Sequence, residues 1–102
     1  MKINFDYIFT NLDGSDAGGE KPLTLRDVAC AGLLNVPQGK NPKPEDKVKR
    51  YRLAIDIDKG KDDFPLDDVT FIRNCIADFY ISPLIVGQVY EVMEDGNSSK
   101  TE

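Results

Sequence analysis

Apolar and polar side chains alternate over residues 3–10, Ile3-Asn4-Phe5-Asp6-Tyr7-Ile8-Phe9-Thr10, placing Ile3, Phe5, Tyr7 and Phe9 on one side. A period of two carried by aromatic and β-branched residues predicts a strand. Residues 11–19 are rich in Asn, Asp, Gly and Ser and read as a turn-forming loop, after which Lys21-Pro22-Leu23 is expected to return as a short edge strand. A two-stranded hairpin of this size is marginal alone and needs helices to cover it.

From Thr24 onward the pattern changes to a helical period, and the starts of the helices are written in the sequence. Thr24 predicts an N-cap with Leu23 and Val28 as its hydrophobic staple. Asp67 predicts a second cap with Leu66 against Phe71, and Ser82 a third with Pro83 at the first helical position and Ile81 against Val86. A further helix is expected from about Pro44 to Gly60, with Val48, Tyr51 and Ile55 inward and Leu53 and Ile57 widening that face. The third helix carries an inward stripe of Val69, Ile72, Cys75, Ile76 and Phe79. The fourth, with Leu84, Ile85, Val86, Val89, Tyr90 and Met93, is apolar over more than half its circumference and is expected to be the central one. Gly87 inside it costs about 1 kcal/mol of propensity relative to alanine, which suggests close approach by a neighbour. The connector over residues 35–44 is dense in Pro, Gly and Asn and should be exposed. The expected architecture is therefore α+β, an N-terminal β-hairpin packed on about four short α-helices around a single core. Residues 1–94 are expected to form one globular domain and residues 95–102 a disordered polar tail.

A chain of 102 residues leaves room for one core and excludes two-lobed folds. Histidine is absent, which removes Ser-His-Asp and Cys-His nucleophilic triads, His-ligated zinc and histidine acid/base catalysis. Cys30 and Cys75 both sit in apolar helical patterns, where cysteine behaves as a small buried hydrophobe. No apolar run has the length of a signal peptide or a membrane span, so a cytoplasmic setting with no membrane partner is expected.

The net charge of −5 hides a segregation. Residues 1–39 carry a balance of −2, residues 40–61 one of +4, and residues 62–102 one of −7. Such a pattern suits docking to charged partners, head-to-tail self-association, or closure into intramolecular pairs. Asp62, Asp63, Asp67 and Asp68 are the candidate protein-binding residues, steering association with a basic partner surface. Lys47, Lys49, Arg50 and Arg52, with Tyr51 among them, form a possible basic contact surface for phosphates. The overall negative charge opposes nucleic acid as the partner. The stretch from Asp56 begins D-x-D like a calcium loop, but Lys61 stands where the sharp turn needs glycine and Asp67 where a bidentate glutamate belongs. No phosphate-cradling or nucleophile-elbow motif occurs, so no catalytic residue, cofactor or metal is expected.

The chain resembles a group of small phage- and prophage-encoded proteins without an assigned activity. The residues that carry the likeness are Leu12-Asp13-Gly14, Lys21-Pro22-Leu23-Thr24-Leu25, Lys49-Arg50-Tyr51-Arg52-Leu53-Ala54 and, above all, residues 80–91, Tyr80-Ile81-Ser82-Pro83-Leu84-Ile85-Val86-Gly87-Gln88-Val89-Tyr90-Glu91. The resemblance implies a phage setting and assigns no functional residue. The expected function is a non-enzymatic protein-binding module acting on a host or phage protein. A homo-oligomeric particle-assembly protein and a nucleic-acid-binding accessory protein using residues 47–52 are the alternatives.

Overall fold

The computed structural model describes residues 1–37 and 39–93, and the expected polar tail at 95–102 lies outside them. Four helices follow one another: α1 (Leu25–Leu34), α2 (Pro44–Asp58), α3 (Leu66–Phe79) and α4 (Pro83–Val92).

Helix α1 begins as its sequence predicts. The Thr24 hydroxyl accepts from the Asp27 N–H at 3.2 Å, and the Asp27 carboxylate accepts from the Thr24 N–H at 3.3 Å, a reciprocal capping box. Leu25, Val28, Ala29, Gly32 and Leu33 are buried at i, i+3, i+4, i+7 and i+8, one continuous stripe. Helix α2 starts with Pro44 at a position whose N–H would be orphaned in any case, has Glu45 and Asp46 in its first turn, and is stopped by Gly60 at φ +102°. Helix α3 starts at Leu66, two residues earlier than the expected cap at Asp67 allows, with Pro65 in the N-cap position and no side-chain cap. Phe64 is buried and its N–H is held by the Met1 carbonyl at 3.0 Å. That anchored Phe64-Pro65 pair, rather than an aspartate cap, sets the entry, and Leu66 is exposed instead of stapled. Helix α4 has Pro83 at N1 as expected, but Ser82 makes no side-chain cap bond and Ile81 is fully in solvent, so the Ile81–Val86 staple does not form.

The expected α+β class is overturned: among the described residues there is no strand or sheet, only isolated bridges of Lys2 with Asp63, Ile8 with Thr24 and Thr10 with Asp16. The alternation over residues 3–9 is real in burial, since Ile3, Phe5 and Phe9 are in the core while Asn4, Asp6 and Ile8 are exposed. It is not continuous in extended backbone. A turn interrupts it, with the Tyr7 N–H donating to the Asn4 carbonyl at 3.2 Å and the Asp6 N–H to the Asn4 side chain at 3.1 Å. The N–H of Ile3 then pairs with Asp62, that of Phe9 with Leu23, and the Tyr7 carbonyl receives Leu25. These backbone groups find separate partners in place of a ladder.

Helix α1 packs against both α2 and α3, and α4 packs on α3. The central helix is therefore α1, not α4, of which only Ile85 and Val89 are buried. Close approach also falls elsewhere than expected. A Cβ on Gly87 would meet nothing within 4 Å, whereas a Cβ on Gly32 of α1 would stand 2.9 Å from Ile76 Cα of α3. The α1–α3 interface is thus set by a glycine facing backbone. Helix α4 is tied down by Gln88, whose Nε2 donates to the Thr10 carbonyl at 2.9 Å while its Oε1 accepts from the Tyr7 hydroxyl at 2.7 Å and the Thr10 N–H at 3.2 Å.

The two glycines should respond oppositely to alanine. Gly32→Ala forces α1 and α3 apart and is expected to lower stability by about 1–3 kcal/mol, whereas Gly87→Ala gains helix propensity and should raise it by up to about 1 kcal/mol. Urea midpoints at constant slope check both.

Candidate functional site

Helix α2 presents two faces with different duties. Its buried stripe is Arg50, Leu53, Ala54 and Ile57, so a charged residue occupies a core position. The reason lies at the end of α1. The last four carbonyls of any helix lack intrahelical donors, and α1 has no basic residue in its last turn. Arg50 Nη1 donates to the carbonyls of Gly32 at 3.2 Å and Leu33 at 3.3 Å, and the Asn35 N–H and Nδ2 cover that of Ala31 at 3.1 and 2.7 Å. A cation at the negative end of the helix dipole is also favourable in its own right. Arg50 is only 8% exposed, and its Nε has no hydrogen-bond partner among the described residues.

Turning Arg50 inward turns Val48 and Tyr51 outward, against the expected burial of that stripe. Val48 is 51% and Tyr51 59% exposed, and Leu34 at the end of α1 is 59% exposed. Between the two helices Leu34 and Tyr51 border a groove of about 440 Å³ with Cys30, Ala54 and Ile55 in its wall and Asp58 and Lys59 at its end. The Cys30 Sγ lies 3.7 Å from the Ala54 carbonyl, to which it donates. Burial pushes the Cys30 thiol up, with Asp58 and Asp27 adding to the shift against Arg26. A raised thiol pKa leaves less of the reactive thiolate at a given pH. The Cys75 thiol is raised too, again chiefly by burial, and both cysteines are free.

The four acidic candidates fall into two pairs. Asp62 is half-buried and its carbonyl holds the Ile3 N–H at 2.8 Å, while the Asp63 carboxylate lies 3.1 Å from the Met1 amino nitrogen. Asp67 is exposed in the first turn of α3, and Asp68 pairs with Lys49 at 3.4 Å. Part of the charge segregation therefore closes within the molecule.

The four basic candidates are not brought together either. Lys49 lies over the Phe71 ring at 4.6 Å as well as against Asp68, and Arg50 is buried. Lys47 and Arg52 remain exposed. At about 100° per residue these four positions spread around the helix instead of sharing a face. They do not make one continuous track for a phosphate backbone.

Among the described residues no group of three His, Cys, Asp or Glu could hold a metal ion, and no helix is long and apolar enough to cross a membrane. No protein family, curated protein or solved structure matches the chain.

Two outcomes follow from this geometry. Arg50→Ala strips two buried carbonyls of their donor and is expected to cost about 3 kcal/mol in a denaturant titration. Because both thiol pKa values are raised, less thiolate exists at any given pH in the folded than in the unfolded chain. Alkylation of Cys30 should therefore be slower in the native protein at pH 8, with its rate profile displaced to higher pH, and Cys75 should react only on unfolding.

Proposed function

We propose that this chain is a non-enzymatic protein-binding module whose contact surface is the outer stripe of α2 together with the end of α1. The single observation that carries the reading is the second apolar stripe on α2. Leu53, Ala54 and Ile57 already serve the core, so Val48 and Tyr51, with Leu34 beside them, are apolar surface that the fold itself does not use. An aromatic anchor at the mouth of an apolar groove is the arrangement on which binding energy concentrates. The groove itself carries one carboxylate and one cation, Asp58 and Lys59, side by side at its end. The occupant that fits is an apolar segment of another protein, its apolar side chains giving affinity and a polar group set against Asp58 and Lys59 giving register. On the phage resemblance, that protein is a host or phage protein met in the cytoplasm.

The test couples capture to a footprint. A protein retained from lysate by the intact chain should be lost when Leu34 and Tyr51 are both changed to serine, exposed sites where stability changes little. The purified partner should also shield Cys30 from alkylation at least tenfold, about 1.4 kcal/mol of occupancy. Retention unchanged by the double substitution, with Cys30 still labelled at its free rate, would sink the proposal, and loss instead on reversing Asp63 and Asp67 would move the contact to the acidic residues.

A further inference from the structure

Beyond that reading, and independent of it, we infer that Arg50 and residues 39–42, which precede α2, form a binding site for one oxyanion group, a carboxylate or a phosphate carried by a small ligand. An open cavity of about 410 Å³ is lined by Gly39, Lys40, Asn41, Pro42 and Arg50. Its chemistry is cationic and amide, with no carboxylate in the lining.

The inference turns on the state of Arg50. A guanidinium has five donors and keeps its charge at every accessible pH. Burying it is expensive unless it is paired, yet no carboxylate lies within ion-pair distance of Arg50 among the described residues. The α1 carbonyls engage Nη1, and the partial charge of a helix C-terminus offsets only part of a full positive charge. Nε, in the interior, has no partner among the described residues. A cation without a carboxylate partner, 8% exposed and in the wall of an open cavity, is a site short of one anion.

Lys40 supplies the second contact. Its Nζ is 3.2 Å from the Asp78 carboxylate, with both side chains about half exposed, and an exposed pair of this kind is worth little. An entering oxyanion can take Lys40 from Asp78 at small cost. Gly39 at φ +90° leaves open space where a side chain would stand. Asp78, which already holds Lys40, is the resident competitor of the anion. Its neutralisation should strengthen binding, an effect that a purely structural Arg50 would not produce.

The test is a titration of the full chain with inorganic phosphate and, separately, acetate, followed by the Arg Nε–H and backbone amide resonances, with sodium chloride at matched ionic strength as the reference. Saturable shifts confined to the Arg50 Nε–H and to residues 39–41 are expected. Lys40→Ala should weaken the affinity about tenfold and Asp78→Asn should raise it. Saturation by phosphate alone, by acetate alone or by both identifies which oxyanion the site prefers and supports it. Saturation by neither, or shifts of equal size in the Lys40→Ala variant and scattered over the other arginines, would overturn it. Both variants are at exposed positions, so the fold and the Arg50 bonds to α1 remain as they are.

Discussion

The carbonyls left over at the C-terminus of α1 govern how the molecule is put together. Helix α1 is packed on two sides, so its final turn is closed off from much of the solvent, and buried carbonyls without donors are costly. Asn35 covers one of them from the chain immediately following, and Arg50 reaches two more from the next helix. A helix is rigid about its own axis. Once Arg50 faces α1, every other residue of α2 has its direction assigned, with Leu53 and Ile57 inward and Tyr51 outward. The core, the apolar groove and the cationic cavity are three results of that one orientation.

Much of the helical part was legible because local chemistry dictated it. The Thr24–Asp27 box, Pro44 and Pro83 at first helical positions and Gly60 as a stop act over four residues or fewer and need no tertiary partner. The stripe of α3 was legible over Val69, Ile72, Cys75 and Ile76, all buried, but its last expected member, Phe79, is exposed at the end of the helix. The misreadings share a cause, which is that a distant group decided the outcome. On α2 the apolar spacing of Val48, Tyr51 and Ile55 outvoted a stripe containing an arginine, and only the end of α1 makes an arginine welcome inside. On α4 an abundance of apolar residues suggested the centre of the fold, but Ile81, Val86 and Tyr90 border solvent or partial burial. Gly32 carried a signal that could have been read, a glycine at the i+7 position of an otherwise perfect inward stripe, where close packing is its usual reason.

The N-terminal segment shows why alternation in sequence need not become a sheet. A period of two reports which side chains point to a core, and that part of the reading holds for Ile3, Phe5 and Phe9. Pairing is a separate requirement, and it depends on a second extended run being available at the right length. Pro22 cannot donate, residues 11–19 bend through several turns, and Asn4 turns the segment upon itself. The backbone is satisfied by borrowing from Asp62, Leu23 and the Gln88 side chain in succession.

That borrowing bears on the order in which the molecule can be completed. Thr10 and Tyr7 are held by a residue 78 and 81 positions further along, and the Met1 carbonyl by one 63 positions further. Helices α1 and α2 meet across a short connector, whereas closing loops of such length is slow and is rewarded only at the end. During synthesis the chain emerges from its N-terminus at roughly 5–20 residues per second. Tyr7 and Thr10 must therefore wait for Gln88, roughly 80 residues later and so several seconds on, and in that interval Phe5 and Phe9 lack the cover of α3 and α4.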